Sequence, residues 1–121
     1  HSLAKRKTVS VNDLGIETFI ANNAPSPYRD QVIEKFERHK TKLNIAVEMP
    51  SLEAIKRLVE IGAGVALVPK LTAQNEIDSG ILKGLSVKEM KFERKLHLVY
   101  RRNGVLSHAA RVFLKLAKEM D

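Results

Sequence analysis

The segment 51–69 constrains the fold of this chain more than any other, because it predicts a helix, a turn and a strand in direct succession. Ser51 is a typical N-cap residue, since its hydroxyl can accept a hydrogen bond from a backbone amide one turn further on. Glu53 in the first turn suits the positive end of the helix dipole. The apolar residues of this segment recur at helical spacing and predict one buried face. They are Leu52, Ile55, Leu58 and Val59.

The glycines that follow this helix predict a turn into a buried strand. Gly62 is expected to end the helix in the left-handed conformation that glycine adopts most readily. Residues 65–68 are all apolar, which is typical of a strand covered on both faces, and Pro69 then ends the strand because it has no amide to donate. Gly62 and Gly64 do not form a dinucleotide-binding fingerprint, since that motif follows a strand and opens a helix.

The composition indicates one globular domain without redox or metal chemistry. The chain has 121 residues, of which 44% are hydrophobic and 29% are charged, and this suits a single domain with its own core. It has no cysteine, and its four histidines are scattered, so neither a disulfide nor a metal site is expected. No apolar stretch approaches the roughly 18–20 residues that span a bilayer. With no secretory signal apparent, a cytoplasmic protein without membrane contact is predicted.

The net charge of +7 is concentrated toward the end of the chain. Residues 88–121 carry nine basic and four acidic side chains, which gives +5 of that total. A basic end can attract nucleic acid. We favour the simpler interpretation that lysine and arginine cover the exposed faces of a strand and a helix, because the few aromatic residues are not interleaved with the basic ones.

The remaining chain alternates predicted strands with predicted helices. Residues 1–16 are interpreted as an irregular connector, and the pair Ser26 and Pro27 predicts a strong helix start. Further helices are expected at 70–79 and after Ser107. Strands are predicted at 17–21, 43–49, 65–68, 81–87 and 92–101. The order β-α-β-α-β-α-β-β-α predicts an α/β fold with a mainly parallel sheet and helices on both faces.

The sequence contains no arrangement that favours catalysis. Nucleophile elbows, paired zinc-ligating histidines and phosphate-binding loops are all missing from it. Acid pairs such as Glu34 with Glu37, or Glu76 with Asp78, fall on the predicted outer faces of helices. An enzyme is therefore not expected.

Two helix starts instead suggest a binding site for a small anion. Asn22, Asn23 and Ser26 precede one helix, and Met49, Pro50 and Ser51 precede the other. Both groups follow the carboxyl end of a predicted strand, where ligands of parallel sheets bind. Unpaired amides and the positive end of a helix dipole attract groups such as carboxylates. Ordinary helix capping by the same residues is the alternative.

Several segments, taken in order, resemble the C-terminal effector-binding region of LysR-type transcriptional regulators. The most specific is SLEAIKRLVEIGAGVALVP at 51–69. The start HSLA, followed by VSVNDL at 9–14, is similar to the opening of that family's second lobe, with Ser2 in place of the usual proline. Later matches are GIL at 80–82, LVYRR at 98–102 and LSHAARVFL at 106–114.

This resemblance implies a fold like that of type 2 periplasmic binding proteins, with two α/β lobes and an effector cleft between them. Residues 1–14 would connect the lobes, residues 15–90 would form the second lobe, and residues 91–121 would return to the first. The sequence lacks the family's winged helix-turn-helix, its linker helix and the opening half of the effector region. We therefore expect a piece of a longer regulator that would contact DNA only through the missing N-terminal domain.

The resemblance also implies a function and a set of cleft residues. A small, anionic metabolite would bind without a cofactor or metal and would alter transcription, and the effector domain would form a homodimer or homotetramer. The cleft residues expected from the family are Asn22, Asn23, Ser26, Met49, Pro50, Ser51 and Pro69.

Two other functions remain as alternatives. A solute-binding receptor lobe shares the same fold, and a small α/β enzyme is the third possibility. The missing half also predicts that apolar residues near the end of the chain, including Leu96, Leu98 and Phe113, lie exposed and pair with another copy or a companion chain.

Overall fold

The computed structural model describes residues 1–92 and 97–119 and divides the chain into two compact units, His1–Lys91 and Phe92–Asp121. In the first unit the strands are β1 (Thr8–Val9), β2 (Phe19–Asn22), β3 (Ile45–Met49) and β4 (Ser86–Val87). Its helices are α1 (Val11–Leu14), α2 (Pro27–Arg38), α3 (Leu52–Glu60) and α4 (Gln74–Asp78). Short 3-10 helices cover Ser2–Lys5 and Lys70–Ala73. The second unit contains α5 (His108–Glu119).

Parallel strand pairing confirms the predicted α/β class. β2 pairs in parallel with β3, and β1 pairs in parallel with β4. Helix α2 connects β2 to β3, as expected of a crossover between parallel strands. The β2–β3 pair brings the carboxyl ends of two strands side by side, and this edge carries the candidate site.

The predicted strand at 65–68 is wrong for most of its length. Only Val65 pairs, through an isolated parallel bridge to Phe19, and residues 65–68 are half-buried rather than covered on both faces. Gly64 is needed at this point because a β-carbon there would lie 2.5 Å from the carbonyl oxygen of Thr18. An apolar run reports a tendency toward burial, whereas a strand also needs neighbouring backbone along its edge, which a sequence pattern does not specify.

The core of the first unit forms between the strands and the inner faces of the helices. Phe19 of β2 packs edge-to-face against Phe36 of α2, with ring centroids 5.7 Å apart and planes at 87°, the preferred geometry for aromatic pairs. Ile20 and Ile55 are each 1% exposed. The other buried apolar residues are Leu3, Val9, Val11, Leu14, Val32 and Ala73.

The interpretation of residues 1–16 as irregular is also wrong. Helix α1 begins with a capping box in which Ser10 accepts from the Asp13 amide and Asp13 accepts from the Ser10 amide. β1 is held by pairing with β4, more than 70 residues later in the chain. Local periodicity in the sequence does not indicate so distant a partner.

Helix α3 follows the prediction except at its cap and on its buried face. Ser51 occupies the N-cap position, but its side chain makes no capping hydrogen bond, which corrects the expectation. Buried residues on this helix are Ile55 and, unexpectedly, Lys56. Gly62 has a φ of 81°, so the predicted left-handed turn is confirmed.

In the second unit the helix is confirmed and the strand is not. Ser107 caps α5 by accepting a hydrogen bond from the Ala110 amide at 3.2 Å. Residues 92 and 97–101 of the predicted strand have no strand structure, and residues 93–96, including Leu96, lie outside the described residues. Leu98 and Phe113 are exposed as predicted, at 46% and 61%. Within the described parts of the chain, no helix is both long and apolar enough to cross a membrane.

Candidate functional site

The carboxyl ends of β2 and β3 bring four of the seven predicted cleft residues together. Asn22 lies opposite Met49 in the strand register. The Asn23 amide donates to the Met49 carbonyl at 3.1 Å, and the Asn22 side-chain amide donates to the Pro50 carbonyl at 3.5 Å. The two loops that follow these strands therefore meet, as the topology of a parallel sheet requires.

The polar side chains of the first loop support the start of α2. Asn22 Oδ1 accepts a hydrogen bond from the Ala24 amide at 2.7 Å, which is a typical asparagine turn. Ser26 Oγ accepts from the Arg29 amide at 3.2 Å. The expected capping role of Ser26 is thus present, and these contacts fix the path of the loop around the end of β2.

Ser51 differs from Ser26, although both were predicted as caps. The Ser51 side chain makes no capping hydrogen bond, and the residue is exposed at the start of α3. The backbone carbonyl of Ser51 accepts from the Ile55 amide at 3.1 Å, so the helix begins without help from the hydroxyl.

Pro69 occupies a turn of its own. Its carbonyl accepts hydrogen bonds from the amide of Thr72 at 3.0 Å and from the hydroxyl of Thr72 at 2.7 Å. These bonds fix the start of the 3-10 helix at Lys70–Ala73. The grouping of Pro69 with the other cleft residues stays a prediction.

A cavity of about 70 Å³ lies beneath the first turn of α2. Most of its wall is apolar, and its polar lining includes Asn22, Ser26 and Arg29. Two predicted cleft residues therefore line it, whereas the other five do not: Asn23, Met49, Pro50, Ser51 and Pro69. Its other lining residues are Phe19, Ile20, Ala21, Ala24, Tyr28, Val32, Leu43, Ile45 and Leu67.

Arg29 was not predicted from the sequence, although it is the charged residue of the cavity wall. Its guanidinium donates to the carbonyl of Asn22 and to the carboxylate of Glu48. The side chains of Arg29 and Glu48 are 28% and 46% exposed. A signal was available in the sequence, because Arg29 falls in the first turn of a helix, where the dipole disfavours a cation.

Lys56 on α3 is buried and has three hydrogen-bond partners. Lys56 Nζ donates to Glu53 at 2.7 Å, to Glu76 at 2.6 Å and to the Thr72 carbonyl at 3.1 Å. The hydrogen bonds that Lys56 donates to Glu53 and Glu76 raise the pKa of Lys56, and the bond from Lys56 lowers the pKa of Glu76. The bonds to Glu76 and to the Thr72 carbonyl fasten α3, which begins directly after Pro50 and Ser51, to α4 and to the 3-10 helix before it.

The charged side chains do not gather in a form that would hold a metal. Across residues 1–92 and 97–119 there is no group of three or more histidine, aspartate or glutamate side chains placed to bind an ion. Neutral amides, hydroxyls and one arginine are instead the polar groups that line the cavity, and they suit an organic ligand.

Comparison with known sequences agrees with the family resemblance. The chain is 30% identical over 118 residues to a probable RuBisCO transcriptional regulator of Synechocystis sp., covering 95% of this chain and 34% of that protein. It is 31% identical to the HTH-type transcriptional activator CmpR of the same organism, covering 94% and 38%. The RuBisCO operon transcriptional regulator of Allochromatium vinosum is 35% identical, with coverage of 93% and 37%. The chain thus spans about a third of the length of these relatives.

Solved structures agree with the predicted fold. The Synechocystis CcmR regulatory domain in complex with 2-PG superposes with a TM-score of 0.83 and 26% identity, covering 99% of this chain and 58% of that one. The effector-binding domain of QuiR in complex with shikimate gives a TM-score of 0.80 at 23% identity, covering 99% and 56%. The second similarity concerns the fold alone.

The match to the family itself extends over the whole chain. Residues 1–121 match the family described as the LysR substrate binding domain. Together with the parallel α/β topology, this confirms both the predicted family and the predicted fold class. The chain belongs to the LysR substrate-binding domain family.

Proposed function

We propose that this chain is the effector-sensing part of a LysR-type transcriptional regulator and that it binds a small, anionic metabolite. The observation that carries the proposal is the meeting of the Asn22–Asn23 loop with Met49 and Pro50 at the ends of two parallel strands. Loops at this edge of a parallel sheet are the usual ligand sites. The names of the relatives, which are transcriptional regulators, support the same function.

The ligand site comprises Asn22, Asn23, Ser26, Met49, Pro50, Ser51 and Pro69. Ser51 contributes an exposed hydroxyl that makes no capping bond. A small anion is the favoured ligand class because backbone amides at the start of α3 carry partial positive charge. The related CcmR and QuiR domains were solved with 2-PG and shikimate, which supports a small metabolite of this kind.

Regulation would follow from a difference in affinity between two conformations. A ligand shifts such an equilibrium only as far as it binds one state more tightly than the other. In the whole regulator, a separate N-terminal domain would contact DNA, the effector domain would form a homodimer or homotetramer, and the protein would act in the cytoplasm without a cofactor, metal or membrane.

Titration with small acids tests the site directly. The 121-residue chain, labelled with ¹⁵N, is titrated with 2-phosphoglycolate and with shikimate, and the amide resonances of the two loops are followed. We expect the resonances of Asn23 and Ser51 to shift in a saturable manner. Shifts confined to α4 or α5, or no shift with either acid, would contradict the proposed site.

A matched pair of serine variants sharpens this test. Ser51→Ala removes the uncapped hydroxyl and is expected to weaken binding about fivefold, the loss typical of one hydrogen bond of about 1 kcal/mol. Ser86→Ala removes an exposed hydroxyl on β4, far along the chain from the site, and should leave affinity unchanged. Equal affinities for the two variants would remove Ser51 from the site.

A further inference from the structure

The position of Arg29 breaks a local rule of helix design. It lies in the first turn of α2, directly after Pro27 and Tyr28. The amides of a helix start carry partial positive charge, so a cation at this position is repelled, and acidic residues are preferred there. Natural proteins break such local rules mainly at functional or strained sites and compensate for them elsewhere.

The contacts of Arg29 tie three elements together. One guanidinium nitrogen donates to the carbonyl of Asn22 at the end of β2, and the other donates to the carboxylate of Glu48 on β3. Arginine carries five donors in a planar fork, and these two contacts use one donor each. Glu48 is nearly half exposed, at 46%, and ion pairs of this exposure are weak because water screens them.

Arg29 also forms part of the cavity wall beneath α2. Within the described lining of the cavity, Arg29 is the one charged residue, and Asn22 and Ser26 provide neutral polar groups beside it. The remaining wall is mostly apolar. A positive charge at the edge of an apolar cavity favours a ligand that has one anionic group and a short, compact body.

We propose that Arg29 is the anion-recognising residue of this chain and that Glu48 is a built-in competitor for it. A ligand carboxylate or phosphate would displace the Glu48 carboxylate from the guanidinium, while the body of the ligand enters the cavity. The exchange is favourable because a bidentate arginine–oxyanion pair in a partly enclosed site is stronger than a single contact to an exposed carboxylate. This inference rests on the proposed function and names the group that would select the ligand.

The competition has a consequence for the sensitivity of the site. Each ligand molecule must replace Glu48, so the apparent affinity is lower than the intrinsic affinity of Arg29 for the anion. The strength of the Arg29–Glu48 pair thus sets the concentration at which the site fills. Removing the competitor should tighten binding, whereas a purely structural ion pair would give no such gain.

The test compares three variants of the 121-residue chain with 2-phosphoglycolate and inorganic phosphate as probes, using calorimetry and NMR titration. Arg29→Gln is expected to weaken binding of 2-phosphoglycolate at least about tenfold, since it removes a charge-assisted contact. Glu48→Gln is expected to tighten it about threefold to tenfold. The control is Arg38→Gln, on the same helix α2, because Arg38 pairs with Glu34 away from the cavity. It should bind like the unaltered chain.

A fourth variant separates charge from geometry and guards against misfolding. Arg29→Lys keeps the positive charge but loses the fork, so binding should fall less than with Arg29→Gln. Far-UV circular dichroism confirms that each variant is folded. If Arg29→Gln does not fold, the opposite effects expected for Arg29→Lys and Glu48→Gln still decide the proposal.

The outcomes distinguish this inference from the proposed function. Binding to the unaltered chain that persists at full strength in Arg29→Gln would overturn the inference and leave the proposed function standing. Weaker binding in Glu48→Gln would also overturn it, because Glu48 would then support the ligand instead of competing with it. Failure of the unaltered chain to bind either probe at millimolar concentration would overturn both.

Discussion

The two units of this chain differ in how far they bury their apolar residues. The unit His1–Lys91 buries ten apolar residues, from Leu3 to Ala73, whereas none of the described residues of the second unit, 92 and 97–119, is buried. Each unit contains an amphipathic helix of 12 residues, α2 and α5. Helix α2 places Phe36 in the core, at 1% exposure, while α5 leaves Phe113 61% exposed.

The comparison shows that an apolar helical face is not sufficient to build a core. The face of α2 is covered because β2 lies against it, as the Phe19–Phe36 contact demonstrates. Stability should therefore be concentrated in the first unit. Matched substitutions in the two units test this, and they are ordered here from the largest expected effect to the smallest.

The largest difference is expected between two phenylalanines. Phe36→Ala should lower the free energy of unfolding by about 3–5 kcal/mol, because it removes a buried ring and leaves a cavity. Phe113→Ala should change it by no more than about 0.5 kcal/mol, since the ring is already exposed. Urea unfolding followed by circular dichroism measures both. A similar loss in both variants would show that α5 is packed in solution.

Two lysines give the next comparison. Lys56→Met should lower the urea midpoint well below that of Lys115→Met, because it leaves the Glu76 carboxylate without its ion-pair partner. The Oε2 atom of Glu76 is buried and already has no hydrogen-bond partner among the described residues. Lys115 pairs only at 4.0 Å with the exposed Glu119. The double variant Lys56→Met with Glu76→Leu should recover part of the loss. No recovery would mean that Lys56 acts through packing alone.

Two glycines give a smaller contrast. Gly64→Ala would place a β-carbon 2.5 Å from the Thr18 carbonyl oxygen, so the backbone must move, at a cost of about 1–3 kcal/mol. At Gly104 the nearest atom would be the β-carbon of Arg101, at 3.2 Å, and a small shift of that side chain relieves the contact. Of the two variants, only Gly64→Ala should therefore clearly lower the melting temperature. Equal melting temperatures of the two variants would contradict the close approach of residue 64 to the Thr18 backbone.

The smallest effect is expected on the free energy of unfolding at acidic pH. Hydrogen bonds from the Ser10 side chain and backbone, together with Arg6, lower the pKa of Asp13 from 3.8 to about 2. Because the folded-state pKa is lowered, the stabilisation is complete above pH 3.8 and is lost as the pH falls toward 2. Asp13→Asn should flatten the fall in stability over this range, and Glu119→Gln in the second unit should leave it unchanged. A profile unaltered by Asp13→Asn would contradict the capping box.

Local sequence signals placed most helices correctly and failed at distant pairings. The Ser26–Pro27 start, the left-handed Gly62 and the Ser107 cap are all present in the structure. The strands at 65–68 and 92–101 were wrong in their described parts, and β1 was missed, because pairing depends on partners far along the chain. Periodicity contains no information about which edges meet.

The sequence by itself determined the α/β class, the family and the two loops at the strand ends, because capping, glycine turns and apolar spacing are encoded locally. Only the tertiary structure decided which groups meet at the carboxyl ends of β2 and β3. Asn23 meets Met49 because β2 and β3 pair in register. Arg29 reaches Glu48 because the crossover through α2 returns the chain beside its starting strand, which joins residues that are 19 positions apart.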